Sequence, residues 1–135
     1  MKQVLQALMV AALLMPVTAR ADIEGRRAGV SGGAEVCVVD APGVQQNFRE
    51  AFLRQLNGRG HATRFVAAVT DCPVVITFTA KYAMSGGYRR VLKISQFRVF
   101  RAGTEAGVAN YRFSHVPFGN GTVEEVIGKM LDTAL

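Results

Sequence analysis

The residues from Asp71 to Tyr82, Asp-Cys-Pro-Val-Val-Ile-Thr-Phe-Thr-Ala-Lys-Tyr, form the longest dense run of β-branched and aromatic side chains in the chain. Such side chains pack well on a pleated surface and lose little rotamer freedom there, so the run reads as a strand. At period two, Val74, Ile76, Phe78, Ala80 and Tyr82 share one face and Val75, Thr77, Thr79 and Lys81 the other. This pattern predicts a strand buried fully on one side and partly on the other. Pro73 stands at its first residue, where a missing N–H costs the ladder little.

At 135 residues the chain has room for one domain, and its first 21 residues read as something else. Lys2 supplies a positive start, Val4 to Val17 is an apolar run broken only by Gln6 and Pro16, and Ala19-Arg20-Ala21 has the small-x-small form that a signal peptidase recognises. The run is short for a bilayer span. The expectation is a Sec-type signal cleaved after Ala21, a mature chain that begins at Asp22, a periplasmic address and no stable membrane span after cleavage. No cysteine lies near the cleavage point, so no lipidation is expected there.

Loss of residues 1–21 removes Lys2 and Arg20 and lowers the net charge from +6 to +4. A basic surplus can indicate nucleic acid, but an exported chain meets little of it and these arginines are scattered. Nucleic acid is therefore not expected as a partner. An acidic partner or an anionic envelope surface suits the address better, and ordinary solubility explains the surplus best.

The only two cysteines, Cys37 and Cys72, are expected to form a disulfide in an oxidising compartment. A redox-active or metal-binding pair is the alternative, and it lacks Cys-x-x-Cys spacing.

Residues 22–33 are rich in glycine and carry no apolar period, so they read as a flexible linker ahead of a single domain at 34–135. Within them Gly29-Val30-Ser31-Gly32-Gly33 matches Gly-x-Ser-x-Gly, but a nucleophile elbow needs a strand before the serine and a helix after it. Ala34 to Asp40 reads as the first strand. Val44, Phe48, Phe52 and Leu56 then make an apolar stripe at helical spacing, with Gly58 as the residue just past the end. His61 to Val69 reads as a weak, edge-like strand. Arg89 to Arg101 is a long strand that changes phase, with Leu92 and Ile94 on one face and Phe97 and Val99 on the other; a bulge near Ser95 or Gln96 would reunite them. A tight turn at Ala102-Gly103-Thr104 leads to a return strand from Ala106 to Phe113. After a loop over 114–121, Thr122-Val123-Glu124-Glu125 has the form of a capping box, and Val123, Val126, Ile127, Met130 and Leu131 give a second amphipathic helix. The expected order is β-α-β-β-β-β-α. The fold class is α+β, a two-layer α/β sandwich with one mostly antiparallel sheet of four or five strands and two helices on one face.

Several of these segments also carry a resemblance. Cys37-Val38-Val39 before a proline turn, Cys72-Pro73 leading into Thr77-Phe78-Thr79-Ala80, the hairpin Phe97-Arg98-Val99-Phe100-Arg101-Ala102-Gly103 and its return Ala109-Asn110-Tyr111 resemble a family of small, largely uncharacterised proteobacterial cell-envelope lipoproteins. The resemblance implies an envelope location and pairing of Cys37 with Cys72. The chain departs from that family in having no lipobox cysteine.

For catalysis the chain offers little. Its two histidines, His61 and His115, fall in turn-rich segments and read as surface residues, and no spacing brings them together with a carboxylate as a metal site. Glu124-Glu125 is explained by capping. No catalytic residue, cofactor or metal is expected. The leading expectation is a non-catalytic accessory or protein-interaction module of the envelope, with Arg89, Arg90, Lys93, Arg98, Arg101 and Arg112 on the long hairpin as its candidate partner surface. The alternative is a carrier for a lipid or other small anionic ligand, held between helix and sheet by Phe48, Phe52, Phe78 and Tyr82.

Overall fold

The computed structural model describes residues 23–85, 89–113 and 122–135. The expected signal with Ala19 and Ala21, residues 86–88 and the segment with His115 lie outside them. Six strands, β1 (Ile23–Arg26), β2 (Val36–Val39), β3 (Thr63–Val66), β4 (Val74–Ser85), β5 (Arg89–Arg101) and β6 (Thr104–Arg112), join two helices, α1 (Gln46–Gly58) and α2 (Val123–Ala134). They form one sheet in the order β1-β6-β5-β4-β2-β3. The β1/β6, β6/β5 and β5/β4 pairs are antiparallel, and β2 lies parallel to both β4 and β3.

The α+β class stands, but the sheet is larger than expected and mixed. The additional strand comes from the segment read as a flexible linker. Ile23–Arg26 pairs along β6 from Tyr111 to Val108, and the chain beyond it is clasped to the end of α2 by Ala28 N–H to Ala134 O at 2.7 Å and Val30 N–H to Leu135 O at 2.8 Å. Four residues with a central glycine show no period of their own; the ladder of β6 orders them. At Gly25 an added Cβ would collide with the Val108 carbonyl oxygen, so the close pairing requires glycine there.

Both helices lie on one face. Phe48, Phe52 and Leu56 of α1 and Ile127, Met130 and Leu131 of α2 are fully buried against Val36, Val38, Ile76, Phe78, Leu92, Phe97 and Val99. The Phe52 ring lies 4.6 Å from Phe78 and 5.0 Å, edge-on, from Phe97. These rings pack together between helix and sheet, and Phe48, Phe52 and Phe78 are buried in the core.

The phase change in β5 is resolved two residues earlier than expected. Lys81 faces Ile94 and Tyr82 faces Leu92, so Lys93 is the inserted residue. Leu92, Ser95, Phe97 and Val99 are all buried, while Ile94 is turned out to 37% exposure. The buried Ser95 hydroxyl donates to the Thr79 carbonyl at 2.6 Å, which makes its core-facing position tolerable.

Helix α1 ends differently from the expectation as well. Gly60, at φ 83°, takes the left-handed position assigned to Gly58; its N–H bonds to Asn57 O and the His61 N–H to Leu56 O, a Schellman arrangement. That turn draws His61 inward. It is 5% exposed, with Nδ1 2.8 Å from the Ala34 carbonyl oxygen, so the expectation of a surface histidine is corrected. At α2 the Thr122 hydroxyl accepts from Glu125 N–H at 3.1 Å, as its sequence predicts.

Candidate functional site

The helices leave the other face of the sheet uncovered, and strand register arranges that face in rows. One row runs across all six strands: Val66, Val39, Thr77, Arg98, Val108 and Arg26. Toward one end lies the row Arg64, Cys37, Val75, Phe100 and Glu105; toward the other come Thr79, Gln96, Asn110 and Glu24, then Lys81, Ile94 and Arg112. The two ends differ in chemistry, one apolar and stapled, the other polar and cationic.

The apolar end is built on the predicted disulfide. Cys37 on β2 and Cys72, two residues before β4, are joined with Cα atoms 6.3 Å apart and a sequence separation of 35. With buried Val75 they form a second cluster, against which half-buried Val39, Val66, Val69 and Phe100 pack. A carboxylate oxygen of Glu35 lies 3.7 Å and 3.6 Å from the two sulfurs, and Arg64 pairs with the same oxygen at 3.5 Å. Glu35, Cys37 and Cys72 also lie close enough to hold a metal ion, but the sulfurs are bonded to each other and offer no thiolate.

The six expected surface cations do not share a face. Arg98 lies on the open side, paired with Glu105 at 3.4 Å and donating to Gln96 at 3.0 Å, and Arg112 lies on the same side. Arg90 stands 5.9 Å from the Tyr82 ring and Lys93 5.9 Å from the Phe113 ring, both at the margin of the helix-side core. Burial raises the Tyr82 hydroxyl above the usual tyrosine range, and the charge of Arg90 opposes the shift. Arg101 donates to the Gly29 carbonyl at 2.7 Å and so helps hold the N-terminal segment. For Arg89 only the backbone belongs to the described residues.

On the helix side, charged groups tie the two helices together. Arg54 pairs with Glu124 at 2.8 Å, and Arg59 reaches both Asp132 and the Gly128 carbonyl at 2.8 Å. The hydrogen bonds from Arg54 and Gln55 hold the Glu124 carboxyl below the usual glutamate range. A groove between the helices is lined by Gln55, Arg59, Glu124 and Asp132, and these groups are already bonded to one another.

Residues that the sequence did not single out occupy the cationic end: Lys81, Ile94, Gln96 and Asn110. The alternation of β4 placed Lys81 on this face, but the row becomes visible only once the bulge is located at Lys93.

Comparison with known proteins gives a fold and no family. No protein-family model matches the chain, and no curated protein matches its sequence. Among solved structures, a PelC dodecamer from Paraburkholderia phytofirmans is similar at a TM-score of 0.62 and 14% identity, over 83% of this chain and 97% of that one. A leucine-to-methionine variant of the same dodecamer is similar at a TM-score of 0.53 and 13% identity, over 81% and 92%. At such identities the likeness is one of fold.

Proposed function

We propose that the mature chain is an exported, non-catalytic accessory module of the periplasm that works by protein contact, within an assembly of its own copies. The observation that carries this reading is the alignment of 97% of a subunit from a dodecamer with this chain. The disulfide supports an oxidising compartment, and the N-terminal residues have the form of an export signal. No helix among the described residues is long and apolar enough to cross a membrane.

Contact in this reading is made by the apolar end of the open face. Half-buried Val39, Val66, Val69 and Phe100 form a patch rimmed by the Arg64–Glu35 and Arg98–Glu105 pairs, the arrangement of an apolar centre with a polar rim that protein interfaces share. The non-catalytic reading is supported by the employment of the titratable groups: His61 is bonded to a backbone carbonyl, and Glu124 and Asp132 bind arginines.

Light scattering on the mature chain recovered from the periplasm tests this. The reading expects a mass several times that of one chain, and charge reversal at Arg98 that lowers the mass without lowering Tm. A monomer at every concentration would refute it.

A further inference from the structure

Among the described residues nearly every cation is engaged. The arginines other than Arg112 pair with a carboxylate, donate to a backbone carbonyl or lie over an aromatic ring, and Lys93 also faces a ring; Arg89, whose side chain is not described, is left aside. Lys81, Arg112 and Lys129 have no partner among the described residues. Lys129 stands on α2, whereas Lys81 and Arg112 flank Ile94 in one row of the open face. With strands about 4.8 Å apart, their Cα atoms are about 10 Å apart, within reach for both side chains to close on one group above Ile94.

The floor of that row exists because of the bulge. If β5 alternated regularly through Lys93, Ile94 would share the core face of Leu92; with the bulge it is an exposed apolar residue between two cations that have no partner among the described residues. The next row adds outward donors. Thr79 Oγ1 accepts from Gln96 N–H at 3.1 Å, and Gln96 Nε2 donates to Asn110 Oδ1 at 2.7 Å. These bonds leave the Thr79 hydroxyl proton and the Asn110 amide hydrogens free to point outward. Together the two rows line a groove of about 520 Å³, with Glu24 of β1 beside Asn110 also in its wall.

We propose that this groove is a binding site for an anionic small ligand. A phosphate or carboxylate group sits over Ile94 between Lys81 and Arg112, where charge-assisted hydrogen bonds are strongest, and the polar body of the ligand runs over Thr79, Gln96 and Asn110. Glu24 repels a second negative charge at the other end. The chemistry is shared by a free anion and by the headgroup of an anionic lipid. The site does not depend on self-assembly.

The test is amide NMR of the mature, oxidised chain titrated with inorganic phosphate, alongside sedimentation with phosphatidylglycerol vesicles and with phosphatidylcholine vesicles as control. Saturable shifts confined to Thr79, Lys81, Ile94, Gln96, Asn110 and Arg112, weakened at least tenfold in Lys81→Gln/Arg112→Gln, establish the site for a free anion. Sedimentation with phosphatidylglycerol alone, lost in the same variant, assigns it to a headgroup. Both replaced side chains are exposed, and an unchanged Tm shows that the variant is folded. The proposal is overturned by the absence of both signals, by shifts spread equally over the remaining cations, or by binding that survives the double substitution.

Discussion

On the helix side of the sheet, Phe48, Phe52, Phe97 and Ile127 have no exposed surface and interlock across strand and helix. On the other side the same strands present Thr79, Lys81, Arg98, Asn110 and Arg112 to solvent, with a small apolar cluster gathered around one disulfide. Alternation along each strand produces both faces from one backbone. The contrast separates stability from recognition: the first face is saturated with its own contacts, and the second keeps groups that a partner or ligand can use.

The largest expected effect breaks that contrast at its centre. Phe52→Ala should cost about 3–5 kcal/mol in urea unfolding, the range for a buried aromatic removed from a packed core. Ile94→Ala, on the open face, should stay within about 0.5 kcal/mol. Comparable losses at the two positions would mean that the faces do not divide as described.

Removal of the disulfide by replacing both Cys37 and Cys72 with alanine should cost about 3–4 kcal/mol, from the loop entropy of a 35-residue separation. The open face has little apolar packing beyond this staple, so the loss should appear as a lower urea midpoint. A midpoint that does not move would place the stability of that face elsewhere.

Gly107→Ala sharpens the account of the N-terminal segment. A Cβ there would run into the Ala134 carbonyl oxygen and lie 2.7 Å from Ala28 N, at the hydrogen bond that clasps this segment to α2. The expected cost is about 1–3 kcal/mol, with faster amide exchange at Ala28 and Val30.

The smallest effect is electrostatic. Glu124 titrates below the usual glutamate range because Arg54 and Gln55 bind its carboxylate, so its contribution is present above that range and is lost as pH falls through the depressed value. Glu124→Gln should therefore be slightly less stable than the parent at pH 7, and the difference should shrink as the solution is acidified. Both residues are exposed, so the difference should be small.

Much of this arrangement was legible in the chain. The face pattern of β4, the stripe of α1, the hairpin at Ala102-Gly103 and the Thr122 cap are local signals, and the structure has each of them. What the sequence hid depends on distant partners. β1 is a strand because β6 offers it an edge, and His61 is buried because the Schellman turn draws it under Ala34. The cations of the basic hairpin are neighbours in sequence but do not share a face. The inserted Lys93 sends successive cations to different sides, and Arg101 is taken up by the Ala28–Gly29 carbonyls. The Lys81–Ile94–Arg112 row spans three strands, and no local window contains it.

The division between a finished face and a contact face is tested most directly by arginine-specific modification of the assembled mature chain, compared with the dissociated chain and read by mass spectrometry. The account predicts that Arg64 and Arg98, at the apolar end of the open face, lose reactivity on assembly while Arg54, on the outer side of α1, keeps it. Protection of Arg54 with Arg64 and Arg98 equally reactive in both states would contradict it.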